Sequence, residues 1–163
     1  MATDDLTRTY SEATGRFAAD LPEGWVHAKL PDITTIHMGQ SPPGTTYNES
    51  AEGLPFFQGK ADFGPLSPVP RVWCTRPLRV AEPGDVLISV RAPVGPTNLA
   101  DERCIIGRGL AAIRPEPPIQ SKYVLYALRL QEARLAELGT GSTFTAITRG
   151  HLENVEIDLP PLA

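Results

Sequence analysis

The stretch GDVLISV, residues 84–90, decides the fold class. Val86, Leu87, Ile88 and Val90 make it densely apolar, and three of these four side chains are β-branched. A short apolar run of this composition is typical of a strand covered on both faces, because β-branched side chains suit a pleated surface. The sequence therefore predicts that residues 84–90 form a central strand of a sheet.

Shorter strand candidates lie on both sides of this run. They are residues 25–30, residues 33–37, LPFFQGKADFG with a turn at Gly59, RVWCT, LRV, two pieces of CIIGRGLAAIRP around Gly107 and Gly109, and VEIDL near the C-terminus. Seventeen prolines and fourteen glycines favour many turns and short strands over a helix bundle. Residues 38–55, MGQSPPGTTYNESAEGLP, predict a long loop, and loops of that length are usually functional or disordered.

One helix is predicted, from about Gln120 to Leu138, with Ser121 as its N-cap and Gly139 as its C′ glycine. Its apolar stripe comprises Val124, Leu128, Leu135 and Leu138, widened by Tyr126, Ala127 and Leu130, with Arg129, Glu132 and Arg134 on the solvent face. After it come a hydroxyl-rich loop and a turn at Arg149-Gly150. The predicted fold is α+β: one domain with a mixed or antiparallel sheet, one dominant helix in its C-terminal half, and long loops.

Length and composition narrow the class of protein. A chain of 163 residues suits one domain at residues 21–163, preceded by a polar arm or loose helix at residues 1–20. No apolar run approaches the roughly 18 residues of a membrane span, and the N-terminus lacks the apolar core of a signal peptide. Cys74 and Cys104 are too few for a disulfide framework, so we expect buried free thiols and a cytoplasmic location.

Charge is distributed unevenly along the chain. The net charge is −4, but residues 58–108 hold seven basic and five acidic residues, and six of the seven cations are arginine. Arginine can grip phosphate or guanine with two parallel hydrogen bonds. Charge alone favours the simpler interpretation, a solvated surface with ordinary ion pairs.

The residues that carry catalysis in known enzymes show no recognisable arrangement. His27, His37 and His151 are scattered without metal-ligand spacing, and the two cysteines form no CxxC pair. Ser142 lies outside a GxSxG elbow, and the glycine-rich loop lacks the lysine of a nucleotide-binding loop. The sequence therefore favours a binding module over an enzyme, with no cofactor and no metal.

The loop after the helix, Gly139–Thr145, has two interpretations. Its freed backbone N–H groups and four hydroxyls, those of Thr140, Ser142, Thr143 and Thr145, can donate to phosphate oxygens. Phe144 is then the anchor that pins the loop to the core. Alternatively, the segment is a plain helix-to-strand connection, and the loop alone does not decide between the two.

Several stretches in order resemble the target recognition domain of type I restriction-modification specificity subunits. They are LPEGWVHAKL followed by GQSPP, LPFFQGKADFG, EPGDVLISVRAPVGPTN, CIIGRGLAAIRP and GTGSTFTAITRGHLENVEIDLPPLA, covering residues 21–163. The resemblance implies sequence-specific binding of double-stranded DNA. In that family two such domains, separated by long helices that act as a ruler, each read half of a split site, while methyltransferase and motor-nuclease subunits perform the chemistry.

This chain has one such domain and stops where the ruler helix would begin. We therefore expect an excised domain, a natural half-subunit that has lost its helix, or a repurposed relative. A second recognition domain or dimerisation is a further expected partnership. The candidate DNA contacts are Gln40, Ser41, Lys60, Arg71, Arg76, Arg91 and Arg108, with Ser142 and Thr143 for backbone positioning. Arg91 and Arg108 could instead brace loops against Asp85 or Asp101, and we expect glycines 84, 95, 107 and 109 to satisfy turn geometry.

Two other functions stay open. A scaffold domain of the same fold would fit the negative net charge, and a small hydrolase or ligand-binding protein would use the hydroxyl loop. A concave positive face would favour DNA binding over scaffolding. A pocket that places Ser142 beside His151 or a carboxylate would favour the hydrolase.

Overall fold

The computed structural model describes residues 21–139 and 145–161. The arm at residues 1–20, Ser142, Thr143 and Phe144 lie outside the described residues. The elements are β1 (Val26–Lys29), α1 (Leu30–Ile33), β2 (Thr34–Met38), β3 (Tyr47–Asn48), β4 (Leu54–Phe57), β5 (Trp73–Cys74), β6 (Val80–Ala81), β7 (Val86–Ser89), β8 (Thr97–Leu99), β9 (Cys104–Ile106), β10 (Leu110–Pro115), α2 (Ser121–Arg129), α3 (Glu132–Leu138), α4 (Arg149–Glu153) and β11 (Glu156–Leu159). Single 3₁₀ turns at Gly44–Thr46 and Lys60–Asp62 interrupt the loops.

The strands form three sheets. One has the order β2-β10-β7-β8, the second has the order β3-β5-β4-β9-β6, and β1 pairs with β11. The pair β4–β9 is parallel, and the other pairings between these strands are antiparallel. The α+β class with a mixed sheet is confirmed, and β7 has a neighbour on each side, as predicted for a central strand.

Alternate residues of β7 enter two different cores. Val86 and Ile88 pack with Val124 and Leu128 of α2, whereas Leu87 packs with Phe57 and its neighbours under the five-stranded sheet. Because both faces are covered, all four residues of β7 are buried, with Val86, Leu87 and Ile88 fully inaccessible to solvent. The continuous apolar run that marked this strand in the sequence follows from this double burial.

The prediction of one continuous helix at residues 120–138 was wrong. The helix ends at Arg129 and restarts at Glu132, and Leu130 at the break is 90% exposed. Side chains flanking the break bond across to the strands: Arg129 donates to Thr97 Oγ1 (3.2 Å) and to Pro65 O (3.1 Å), and Gln131 Nε2 donates to Glu156 O (2.7 Å). The two halves are thus oriented separately by sheet contacts that helical periodicity does not reveal.

The details of this helix also differ from the prediction. Gln120 rather than Ser121 occupies the N-cap position, and Gly139 has φ −80°, so it is not a left-handed C′ residue. The buried positions are Val124, Leu125, Leu128 and Leu135, while Tyr126, Leu130 and Leu138 are exposed. Arg129 is not on a solvent face, because its guanidinium binds Thr97 of β8 and Pro65 in the segment between β4 and β5.

Two short helices replace structures predicted as strand and turn. Leu30 begins α1 rather than ending a strand. Arg149-Gly150 begin α4, where the Thr148 side chain accepts the His151 N–H at 3.3 Å as an N-cap. The His151 side chain in turn accepts the Thr148 backbone N–H, so Thr148 and His151 cap the helix start reciprocally. This segment therefore begins a helix and is not a simple turn.

Asp85 and Arg114 form an ion pair at one end of the β7–β10 ladder. Arg114 Nε and Nη2 donate to the two carboxylate oxygens, each at 2.8 Å, and the Glu82 N–H adds a bond of 2.9 Å. The Asp85 side chain is 2% exposed and that of Arg114 38%. These hydrogen bonds raise the pKa of Arg114 above its ordinary value. Asp85 is therefore committed to Arg114, which rules out the expectation that it braces Arg91 or Arg108.

Both cysteines are buried as free thiols, as the sequence predicted. Burial, with the carboxylates of the surrounding loops, raises the pKa of Cys104 to about 12. The thiol is therefore protonated at neutral pH and acts as a small apolar side chain of the core. Within the described residues no helix is long and apolar enough to cross a membrane.

Replacing Arg114 tests whether the ion pair holds the ladder together. We expect Arg114→Met to lower the free energy of unfolding by about 3 kcal/mol, because it leaves the buried Asp85 carboxylate unpaired. The matched control is Arg103→Met, whose exposed ion pair with Glu82 spans 3.3 Å and should change stability by about 0.5 kcal/mol or less. Urea denaturation followed by circular dichroism measures both, and equal losses in the two variants would contradict a buried clamp.

Candidate nucleic-acid interface

The antiparallel register of β7 and β10 fixes which residues meet at each end of the ladder. Val86 lies opposite Ile113 and Ser89 opposite Leu110, and the Val90 N–H extends the ladder by donating to Gly109 O at 2.9 Å. Arg91 follows Val90 and Arg108 precedes Gly109, so both arginines lie near this end of the ladder. Arg91 itself pairs with Ala146, and Arg108 lies in the turn that the Leu110 N–H closes on Gly107 O at 3.1 Å. Asp85 and Arg114 lie opposite each other across the other end.

The arginine end of the ladder opens into a polar cleft of about 230 Å³, here called the basic cleft. The described residues that line it are Ser41, Gln58, Gly59, Lys60, Ser89, Arg91, Ala92, Arg108 and Gly109. Three of them are cations, and none of these described residues is acidic. Lys60, Arg91 and Arg108 are exposed, and none forms an ion pair with another residue in the described ranges.

The backbone around the basic cleft is fixed by hydrogen bonds between neighbouring segments. The Arg108 N–H donates to Ser41 Oγ at 3.1 Å, and the Gln40 N–H donates to Ile106 O at 3.0 Å. These bonds tie the segment after β2 to the segment between β9 and β10. Ser41 accepts a hydrogen bond here, so its own hydroxyl hydrogen remains available to a ligand.

Lys60 enters the basic cleft from the turn after β4. Asp62 holds this turn, since its carboxylate accepts the Gln58 N–H at 2.8 Å and Arg71 Nη2 at 2.7 Å. Arg71 also donates to Ala61 O at 3.3 Å. Arg71 therefore braces this turn with its charge paired to Asp62, while Lys60 in the turn keeps an unpaired charge.

The structure thus brings together four of the nine predicted contact residues: Ser41, Lys60, Arg91 and Arg108. Gln40 is exposed immediately beside Ser41, and Arg71 lies behind the Lys60 turn. Arg76 is exposed after β5, outside the described cleft lining, with its backbone N–H on Cys74 Sγ at 3.4 Å. Ser142 and Thr143 lie outside the described residues.

The segment that follows the hydroxyl-rich loop returns to the basic cleft. Ala92, a lining residue, donates its N–H to Thr145 O at 3.0 Å, and the Ile147 N–H donates to Val90 O at 2.8 Å. Arg91 forms an isolated antiparallel bridge with Ala146. The residues just after the loop are therefore anchored on the same stretch of chain that carries Arg91.

Sequence reasoning missed Gln58 as a cleft residue, although it lies directly before the Gly59 turn that the sequence indicates. The expectation for the glycines holds for Gly84 and Gly95, which have φ of +92° and +112°. Gly107 and Gly109 also lie in a turn, which the Leu110 N–H closes on Gly107 O at 3.1 Å, although neither has a positive φ. A Cβ on Gly109 would lie 2.2 Å from Gln58 O, so glycine is needed there for close backbone approach.

His37 and His151 are each surrounded by contacts that belong to the fold. Burial, followed by the nearby Arg114 guanidinium, lowers the pKa of His37, so this side chain is neutral at pH 7. His151 Nδ1 accepts the Thr148 N–H at 3.0 Å within the α4 cap. Among the described residues no group of His, Cys, Asp and Glu could hold a metal ion.

Comparison with known proteins identifies the family to which this fold belongs. Residues 22–163 match the model of the type I restriction modification DNA specificity domain. The chain belongs to that family. A putative type I restriction enzyme MjaX specificity subunit from Methanocaldococcus jannaschii is 44% identical over 146 residues, which are 88% of this chain and 34% of that protein. The chain therefore carries one target recognition domain of the kind found in type I restriction-modification specificity subunits.

Two solved structures resemble this specificity domain closely. The HsdS subunit from Thermoanaerobacter tengcongensis has a TM-score of 0.80 at 52% identity, over 98% of this chain and 39% of that one. A chain from a study of complex assembly and conformational transition of the type I R-M system has a TM-score of 0.83 at 53% identity, over 99% of this chain and 40% of that one. This chain thus spans about a third of the curated relative and two fifths of the solved chains.

Two glycines of the basic cleft offer a matched test of its packing. We expect Gly109→Ala to lower the free energy of unfolding by about 1–3 kcal/mol, because the added methyl group meets the Gln58 carbonyl. Gly59→Ala is the control, since nothing lies within 4 Å of its Cβ position and its backbone is extended. Chemical denaturation checks both, and a Gly109→Ala variant as stable as Gly59→Ala would contradict the close approach.

Proposed function

We propose that this chain is the DNA-reading module of a type I restriction-modification complex and has no catalytic activity of its own. It binds double-stranded DNA in a sequence-specific manner and reads one half of a split target. The observation that carries the proposal is the basic cleft: three unpaired cations at one end of a rigid β7–β10 ladder, in a chain of the DNA specificity family.

Reading of bases requires exposed amide and guanidinium groups on fixed backbone. Gln40 has both properties, because its side chain is exposed and its N–H is bonded to Ile106 O. An amide that reaches adenine in the major groove can accept and donate one hydrogen bond each, which discriminates bases by about 1–3 kcal/mol. Gln40 and Arg76 are therefore the proposed readers, and Ser41, Lys60, Arg91 and Arg108 position the backbone. Arg71 supports them, and Ser142 and Thr143 remain proposed backbone contacts.

The partners follow from the same proposal. The double-stranded DNA is presented to a methyltransferase subunit and, in the restriction complex, to a motor-nuclease subunit, in the cytoplasm where the DNA lies. A second recognition domain, or a second copy of this one, completes the split site.

One feature supports a second candidate, a protein-interaction domain of the same fold. A groove of about 640 Å³ between α2 and the β1–β11 pair is lined by Trp25, Tyr126 and Leu130, of which Tyr126 is 54% and Leu130 90% exposed. Exposed apolar side chains around a groove are typical of protein contacts. This function is compatible with DNA reading, since the groove and the basic cleft share no lining residue.

Selection from random duplex DNA tests the proposed function. Because the chain carries a net charge of −4 and a single reading surface, we expect little binding by the isolated chain at physiological salt. Fused to a dimerising helix, the chain should enrich a short half-site present twice in each selected duplex. Sequencing of the bound pool measures the enrichment.

The dimerising helix without the domain is the control for this selection. It should return an unenriched pool. A fusion that is folded by circular dichroism but enriches no sequence would reject DNA reading and favour the protein-interaction function.

A further inference from the structure

We propose that the basic cleft is a seat for one phosphate group of the DNA backbone rather than a reader of base edges. The inference rests on the proposed function and assigns a ligand to its most distinctive feature. Lys60, Arg91 and Arg108 supply the charge, and Ser41 supplies a hydroxyl donor. The seat would set the register of the duplex while other residues read the bases.

The first support is the gathering of like charges at one end of the ladder. Lys60, Arg91 and Arg108 line the same cleft, and like charges held close together repel one another. A structural arginine in this position would normally meet a carboxylate. Here no carboxylate belongs to the described lining, and Asp62 on the Lys60 turn is committed to Arg71. The arrangement therefore favours an anion that comes from outside the chain.

The second support is the size and polarity of the basic cleft. Its volume of about 230 Å³ lies below the roughly 300–1,000 Å³ of sites that enclose cofactors and drug-sized ligands. Its described lining contains no large apolar side chain on which a base could stack. The cleft thus fits a small, strongly charged group with several acceptor oxygens.

The third support is the number of donors that converge. A guanine presents two acceptors to the major groove, which one arginine satisfies with two bonds. Two guanidinium groups, one ammonium group and one hydroxyl exceed what a base edge can accept. A phosphate offers several charged oxygens at one point, and charge-assisted bonds to such oxygens are the strong ones.

The salt dependence of DNA binding separates a phosphate seat from a base reader. The variant is Lys60→Gln/Arg91→Gln/Arg108→Gln in the full chain, fused to the same dimerising helix. The matched control is Lys122→Gln/Arg103→Gln/Arg134→Gln, which removes three exposed cations outside the described cleft lining. Affinity for a mixed-sequence duplex is measured by fluorescence anisotropy over a range of salt concentrations. Thermal unfolding confirms that each variant is folded.

If the seat holds one phosphate in each domain, the slope of log K against log salt should fall in magnitude by about 0.9 per domain in the cleft variant. It should fall less in the control, and the half-site selected by the cleft variant should stay the same. A slope unchanged relative to the control overturns the seat, as does a cleft variant that selects a different half-site. In both cases the DNA-reading function itself stands.

Titration with inorganic phosphate tests whether the basic cleft binds a phosphate group of the duplex backbone or a free phosphate ion. In ¹H–¹⁵N NMR spectra of the full chain fused to the dimerising helix, phosphate should shift the amide signals of Gln58, Gly59 and Arg108 but not those of the cleft variant, and duplex DNA should shift the same signals at far lower concentration. No shift with phosphate or with DNA overturns the seat. Shifts with phosphate but none with DNA overturn it as a DNA contact, while the proposed function is tested separately by the selection from random duplex DNA.

Discussion

The register of two antiparallel strands, β7 and β10, is the constraint on which the rest of the structure depends. It places a buried carboxylate opposite an arginine at one end, Asp85 with Arg114, and brings two arginines, Arg91 and Arg108, into one cleft at the other end. A slip by one residue would turn the side chains of one strand to the opposite face and break both arrangements. The apolar residues between the two ends hold the register, because Val86 and Ile88 enter one core and Leu87 the other.

The two ends of this ladder illustrate a division between stability and function. At the Asp85 end every charge is matched, and the carboxylate is nearly inaccessible at 2% exposure. At the arginine end the charges converge without a partner among the described residues, and only glycine fits beneath them at residue 109. Proteins carry unfavourable local arrangements mainly where function requires them, supported by rigid structure elsewhere. The contrast between the ends therefore directs attention to the basic cleft.

Sequence reasoning predicted much of this arrangement and missed specific parts for physical reasons. The density of apolar residues in GDVLISV identified β7, and residue type alone nominated Arg91, Arg108, Lys60 and Ser41. The partner of Asp85 was not predictable, because Arg114 comes 29 residues later and meets it only through strand pairing. The helix break at Leu130 depends on bonds from Arg129 and Gln131 to distant strands, which helical periodicity does not contain. The need for glycine at residue 109 arises likewise from Gln58, a neighbour only in the folded chain.

Reversing one charge at the arginine end tests this account most directly. In Arg91→Glu the new carboxylate would lie in the basic cleft with Lys60 and Arg108, so repulsion within the cleft becomes attraction, and the Tm should rise by about 1–2 °C. The same change should weaken duplex binding at low salt, because the basic cleft loses its excess of positive charge. Calorimetry and anisotropy on one preparation measure both quantities. A variant with a lower Tm and unchanged DNA affinity would contradict the account.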